Sequence, residues 1–351
     1  MYIKHLQLVS LLLLLPWLPV SCQSDPSPNS ISNHQQSDST FFNPYAEKED
    51  VGFSKIMKWF WNREKPEISD SLREVTVPHS APDYNALLHP IDSVLQVTWI
   101  GHSTFLVQLN GLNMLTDPIF SDRCSPVQWA GPKRITPPAI PYDSLPPIDI
   151  VLISHNHYDH LDRETVERIG NAARWFVPLK VKPWFSDEGI TTAMEMDWWD
   201  STTVGPLRII CTPAQHFSGR TPTGRNESLW SSWTVIGPHH RFWFAGDTGY
   251  NTVQFKEIGK KYGPFDLGFI PIGAYDPPWI MKNHHVNPEE AVLIHKDIRS
   301  RFSIDMHWGT FILTDEPIGE PPERLKVAVH QANLPDRPFI TIPQGKTLSL
   351  Q

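Results

Sequence analysis

Residues 151–162 read VLISHNHYDHLD, and six positions of that run carry three histidines and an aspartate that could hold metal ions. The apolar start, with Ile148 and Ile150 just before it, predicts a buried strand, and the polar residues predict the loop at its carboxyl end. His155 and His157 stand two apart, so extended backbone turns both to one side. Asp159 and His160 follow where the chain turns into a predicted helix, and can present ligands to a second point close by. Imidazole nitrogen together with carboxylate oxygen suits zinc or a similar first-row ion, and two neighbouring groups suit two ions. A lone histidine beside a strand is ordinarily a hydrogen-bonded structural or surface residue. Three imidazoles and a carboxylate this close differ, because burying them for packing alone would require several separate partners.

The elements that must position these residues alternate along the chain. Strands are expected at 95–100, 104–109 and 112–116, the last two joined by an Asn110-Gly111 hairpin turn and closed by Asp117. A similar arrangement returns at 228–236 and 241–245, closed by Asp247, which hints at a duplicated half. Between them a helix is expected over 163–172, and a strand at 208–211 runs towards His216. After Asp247 come a helix ending near Gly263, a strand at 267–272 and a loop over 278–287. Asn287-Pro288-Glu289-Glu290 is a strong helix start: a cap, a proline in the first turn, and acids at the positive end of the dipole. A strand at 302–306 leads to His307, followed by a helix from about Glu323 and a strand at 339–342. Metal-type residues repeatedly follow strands, so the pattern predicts an α/β protein with two sheets, helices outside and a site along one rim.

The 351 residues are enough for one large domain, and 40% hydrophobic with 19% charged residues is ordinary for a globular chain. A net charge of −8 argues against nucleic acid as a partner. The 34 prolines imply stiff loops, and the 14 tryptophans suit apolar grooves or an interfacial surface where they are not simply core. Lys4 and His5 precede an apolar run over 6–20, then Ser21-Cys22 and an abrupt polar turn, the form of an export signal. At about 15 residues the run is short for a membrane span, and its end resembles a bacterial lipobox with Cys22 as the lipidated residue. The expected organisation is a signal over 1–22, a disordered tether over 23–50 and one domain over 51–351. The expected place is outside the cytoplasm of a bacterium, periplasmic or peripheral to the outer membrane. Met57, Trp59, Phe60 and Trp61 stand among Lys55, Lys58 and Arg63, a segment suited either to a lipid interface or to docking on its own domain. Cys124 and Cys211 form no disulfide framework, and whether they meet stays open.

The motif set as a whole points to a family. HNHYDHLD, His216, Ala245-Gly-Asp-Thr-Gly249 and His307-Trp-Gly309 resemble the metallo-β-lactamase superfamily, an αββα sandwich of two similar halves. Trp99-Ile-Gly-His-Ser103, Leu115-Thr-Asp-Pro-Ile-Phe120, Gly131-Pro-Lys-Arg134, Pro147-Ile-Asp149, Ile272-Gly-Ala-Tyr275 and His285-Val-Asn-Pro-Glu-Glu290 resemble the family of N-acylphosphatidylethanolamine-hydrolysing phospholipases D, over roughly 90–345. The resemblance implies two zinc ions, one on His155, His157 and His216, the other on Asp159, His160 and His307, with Asp247 bridging both. It also implies hydroxide held between the ions, in-line attack on phosphorus, and release of an N-acylethanolamine from phosphatidic acid. Asp159, Asp247 and His285 would be the catalytic set, His285 as an acid or phosphate contact, and His284 peripheral. His102 and Asp117 are candidates to orient ligand imidazoles, although Asp117 could equally cap its Asp-Pro turn. The implied partners are a phospholipid, a membrane surface and a second copy of the chain. Two alternatives stand beside this: hydrolysis of another phosphodiester, a lactone or a cyclic sugar ester, and a non-catalytic lipid-binding module with structural zinc. Seven ligands shared by two ions leave coordination positions open, which argues against the closed structural site.

Overall fold

The computed structural model describes residues 34–35, 40–47, 52–63, 77–221, 223–334 and 338–351. In chain order its strands begin with β1 (Leu95–Gly101), β2 (Thr104–Leu109), β3 (Leu112–Thr116), β4 (Ile150–Leu152), β5 (Arg174–Pro178) and β6 (Ala193–Met196). They continue with β7 (Ser201–Val204), β8 (Leu207–Thr212), β9 (Ser232–Ile236), β10 (Arg241–Phe244), β11 (Leu267–Pro271), β12 (Ser303–Met306), β13 (Phe339–Ile340) and β14 (Thr347–Leu350). One seven-stranded sheet has the order β14, β1, β2, β3, β4, β5, β6, and the other β7, β8, β9, β10, β11, β12, β13. Starting from β14 the pairings are three antiparallel and then three parallel. Starting from β7 they are the same. The duplication hinted at by two strand pairs is thus a duplication of the whole pairing plan.

Strand alternation sorts side chains into two layers. Phe105 and Val107 face the space between the sheets, where the Phe105 ring lies 4.5 Å from that of Phe269 in the opposite sheet. Leu106 and Leu115 face outward and pack with Val166 and Phe185 of the helices Arg163–Ile169 and Lys182–Asp187. Both faces of these strands are covered, so they read as near-continuous apolar runs and not as alternating ones. Phe105→Ala would cost about 3–5 kcal/mol, the usual range for emptying a packed aromatic site. The hairpin between β2 and β3 turns at Asn110 and Gly111, both with positive φ, as that dipeptide favours.

Several boundaries differ from expectation. The helix after the His motif stops at Gly170, whose φ of +58 few other residues tolerate, and continues as one 3-10 turn. The strand expected at 228–236 begins only at Ser232, because the N–H of Leu229 and the indole of Trp230 bond outside the ladder, to Leu179 and Ala214. The loop over 278–287 contains the short helix Pro278–Met281. The last helix starts at Glu320, its first-turn prolines filling positions where no N–H is needed. Asn287 caps its helix in a full capping box.

The disordered tether expected over 23–50 is corrected where residues are described. Phe41 is buried in the core at 1% exposure, and residues 40–47 lie against the body. One large apolar side chain in a polar stretch supplied the anchor that composition alone did not weigh. The segment 53–63 forms the helix Phe53–Asn62 and docks on its own domain: Trp59 donates to Asp315 and Arg63 to the carbonyl of Leu313. Trp61 remains 77% exposed, Met57 is half-buried, and the Phe60 side chain lies outside the described residues, as do residues 1–22 with Cys22. Among the described residues no helix is long and apolar enough to cross a membrane. Cys124 and Cys211 are both buried and free.

Candidate metal centre

Strand direction decides where the ligand-type residues gather. β1 and β3 run the same way because each is antiparallel to β2, and β4 is parallel to β3. His102, Asp117 and the 155–160 loop therefore leave one edge of the first sheet. In the second sheet β8 and β10 are both antiparallel to β9, and β11 and β12 run parallel to β10, so His216, Asp247 and His307 also leave one edge. His102, Asp117 and His307 all take positive φ, a conformation costing such residues roughly 1–3 kcal/mol that surrounding contacts must enforce. Gly246 has φ +61, and a Cβ there would stand 2.4 Å from the Cβ of Ser154, so only glycine lets Asp247 approach the loop of the other sheet.

Two groups of potential ligands result. His155, His157 and His216 form one, with His155 Nε2 2.8 Å and His216 Nε2 3.2 Å from His157 Nδ1. His102, Asp159, His160 and His307 form the other, with His160 Nε2 3.1 Å from His307 Nε2, and Asp159 Oδ2 3.3 Å from each. Asp247 stands between: its Oδ2 is 3.0 Å from His307 Nε2, 3.1 Å from His160 Nε2, 3.9 Å from His216 Nε2 and 4.0 Å from His155 Nε2. His285 reaches in as well, its Nδ1 3.8 Å from the same oxygen.

Neighbouring groups hold these rings in place. His216 Nδ1 donates to the carbonyl of His284 at 2.8 Å; a carbonyl only accepts, so the neutral ring turns the lone pair of Nε2 inward. His160 Nδ1 bonds Asp117 Oδ2 at 2.7 Å, and Asp117 is held by both the N–H and the hydroxyl of Ser154. The loop after His216 clasps the motif loop. Arg220 donates to the carbonyls of Asn156 and Leu161 at 2.9 and 2.7 Å, and Tyr158 donates back to the carbonyl of Arg220 at 2.8 Å. The Asp162 side chain accepts no N–H of the helix it precedes; it accepts from the Thr165 hydroxyl and from Phe120 and Ser121, tying that loop to the motif.

The donor set fits a cation. Inward lone pairs and two carboxylates converge, and Asp247 Oδ1 is buried without a hydrogen-bond partner. Protons show where positive charge is wanted. Burial pushes His160 and His307 down, but Asp247 and Asp159 overcome it, holding His160 well above its usual value and His307 at about 9. Burial dominates in the three-histidine group, where His157 falls to about 4 and His155 and His216 lie well below the usual value. Asp159 and Asp247 lie well below the usual carboxylate range: burial opposes this, and the facing imidazoles outweigh it.

The structure brings together all seven residues expected to bind metal, with His285 beside them. Asp117 backs His160, as expected for a residue that orients an imidazole, and does not merely cap its turn. His102 departs from expectation: its ring bonds the Asp159 carboxylate at 3.1 Å, and it counts among the potential ligands itself. Trp59, expected to contact lipid, is half-buried and donates its indole N–H to Asp315. Ser154, Arg220 and the carbonyl of His284 were not anticipated. Arg220 alone left a trace, as a cation four residues after a ligand-type histidine in an irregular loop.

The comparisons agree with this geometry. A β-lactamase superfamily domain matches residues 112–308, and the chain belongs to that superfamily. It is a metallo-hydrolase of that class. Among its relatives, an N-acyl-phosphatidylethanolamine-hydrolyzing phospholipase D of Caenorhabditis elegans is 46% identical over 269 residues, covering 73% of this chain and 76% of the relative. A mitochondrial enzyme of the same description from Saccharomyces cerevisiae is 38% identical, covering 68% of this chain and 53% of the relative. The solved metallo hydrolase Igni18 of Ignicoccus hospitalis shares the fold, with a TM-score of 0.56, 21% identity, and coverage of 74% of this chain and 99% of that one.

Proposed function

We propose that this metallo-hydrolase is a phospholipase of the D type that binds two zinc ions and converts N-acylphosphatidylethanolamine into N-acylethanolamine and phosphatidic acid. The observation that carries the reading is Asp247, one oxygen of which lies 3.0 Å from His307 and 3.9 Å from His216 and so faces both ligand groups. The likeness to worm and yeast proteins described by that reaction supports the substrate class. On this reading His155, His157 and His216 hold one ion, Asp159, His160 and His307 the other, and Asp247 both. Such ions supply Lewis acidity and a water acidified to near neutrality.

The protein's own groups do the rest. Asp117 and the carbonyl of His284 fix the tautomers of His160 and His216, so their Nε2 atoms stay available as ligands. His285, with Nδ1 3.8 Å from Asp247 Oδ2, stands where it could contact a phosphoryl group held between the two ligand groups. Burial lowers its pKa to about 3, so the ring is neutral at pH 7, which favours hydrogen bonding to phosphate over delivery of a stored proton. The exposed Trp61, next to Lys55 and Lys58, supports adsorption of the Phe53–Asn62 helix to a lipid surface. The composition of residues 1–22 supports export to the periplasm or outer membrane, with Cys22 as the lipid-bearing residue. We include a homodimer in this reading on family resemblance.

The test is mass-spectrometric identification of products from a mixed lipid extract. N-acylethanolamine and phosphatidic acid should appear together, vanish on chelation and return with zinc. Turnover of a lactone or nucleotide diester with no lipid products would replace the reading by its alternative. Lipid binding without any turnover would mark a non-catalytic module.

A further inference from the structure

Residues 40–47 form a strap that bonds both the His216 turn and the turn carrying His285. Earlier in the chain, His34 Nε2 lies 2.7 Å from Asp197 Oδ1, and its ring packs 4.1 Å from that of Trp198. Phe41 then sinks into the core, and its N–H donates to the carbonyl of Asn226. Two residues on, Asn43 Nδ2 donates to the backbone carbonyl of His216 at 2.6 Å. At the other end Asn283 Nδ2 donates to the carbonyl of Glu47 at 2.9 Å, and Lys282 pairs with the Glu47 carboxylate at 3.3 Å.

The turns beneath the strap are joined to each other. His216 Nδ1 bonds the carbonyl of His284, and Gln215 Nε2 donates to the carbonyl of Asn283 at 3.2 Å. Asn43, the His216 turn, the His284–His285 turn and Glu47 therefore close a polar ring around one side of the centre. His216 needs such support. It follows β8 through Pro213, Ala214 and Gln215, which belong to no strand or helix; Gln215 donates its N–H to Thr248 and accepts from the N–H of Gly249, and the next carbonyl, that of His216, accepts from Asn43. The ring torsion is set by His284, and the carbonyl is set by Asn43.

We propose that Asn43 is a positioning residue for His216, and that the strap it belongs to clamps the His216 turn to the turn carrying His285. The proposal rests on the reading of His216 as a metal ligand. Asn43 acts through the backbone of that ligand, and Phe41 gives it a fixed base, so its amide meets the carbonyl already ordered.

The test uses the full-length, metal-stripped protein and its Asn43→Asp and Asn43→Ala variants. Asn43→Asp keeps the shape, removes the donor and sets a carboxylate against the carbonyl. Asn43→Ala removes the donor without adding charge, and carries the test alone should the aspartate variant fail to fold. Zinc and cobalt are titrated by calorimetry and by visible absorption of the cobalt form, beside thermal melting and steady-state turnover. In both variants one of two ions should bind about tenfold more weakly while the other is unchanged, as expected when a group behind a ligand is lost. The cobalt spectrum of that ion should shift, and kcat should fall with KM for lipid unchanged. If the wild type binds two ions and folded variants match it in both isotherms and in the cobalt spectrum, the clamp is wrong while the ligand reading stands. If the wild type binds none, the ligand reading itself fails, and the clamp falls with it.

Discussion

The second strand in from the antiparallel edge is β1 in one sheet and β8 in the other, and each leads to a histidine, His102 or His216. The fourth is β3 or β10, and each leads to an aspartate, Asp117 or Asp247. In the second sheet both side chains reach the middle of the centre, and Asp247 Oδ2 lies within 4.0 Å of five imidazoles. In the first sheet the corresponding pair stands one step back: Asp117 behind His160, and His102 on Asp159. The cause is the motif loop, which only the first sheet delivers over its own edge. That loop covers Asp117, whose two oxygens are taken by Ser154 and His160, so its equivalent position can only support ligands from below. Both halves thus supply ligand-type residues, the first through its motif loop and the second through the ends of its strands, while the strand-end Asp117 of the first half supports an imidazole from behind.

The sharpest way to break this comparison is to change the two aspartates alike. Asp247→Asn should disturb both ions and lower turnover beyond the about 100-fold seen when a supporting group is lost. Asp117→Asn should weaken only the ion on Asp159, His160 and His307, by about 10–100-fold, with the three-histidine group intact. Equal effects on both ions in elemental analysis and metal titration would erase the distinction. His285→Ala should reduce turnover by about 100-fold or more, as when one hydrogen-bond donor to a developing anion is lost, while two ions remain bound. Full activity in that variant would remove the ring from the reaction.

A smaller effect separates the ligand groups by their protons. Near pH 7 His157, His155 and His216 are already neutral, so an ion entering there displaces no proton. His307, with its pKa raised to about 9, and His160, held well above its usual value by Asp247 and Asp159 against burial, must each give one up. Between pH 6.5 and 9 the affinity of that second ion should rise with pH, about tenfold per unit for each proton displaced, while the first stays nearly flat. Calorimetry in buffers of different ionisation enthalpy reads this directly, and identical proton release for both ions would contradict it.

Much of this centre was legible in the chain because its ligands cluster in six positions or directly follow strands. The hairpin at Asn110-Gly111 and the capped helix at Asn287 were equally local and equally readable. β5, β6, β7 and β14 were not, since short strands buried on both faces or lying at an edge lack alternation. The step-back of His102 and the clasp of Arg220 depend on how two distant loops meet, which no spacing encodes. Phe41 shows the limit of composition: its ring is buried in the core although the residues around it are mostly polar.

Anomalous diffraction at the zinc edge from crystals of zinc-loaded protein tests the central claim most directly. Two peaks about 3.5–4 Å apart, with the Asp247 carboxylate touching both, are the predicted result. A single peak, or two peaks of which Asp247 touches only one, would contradict it.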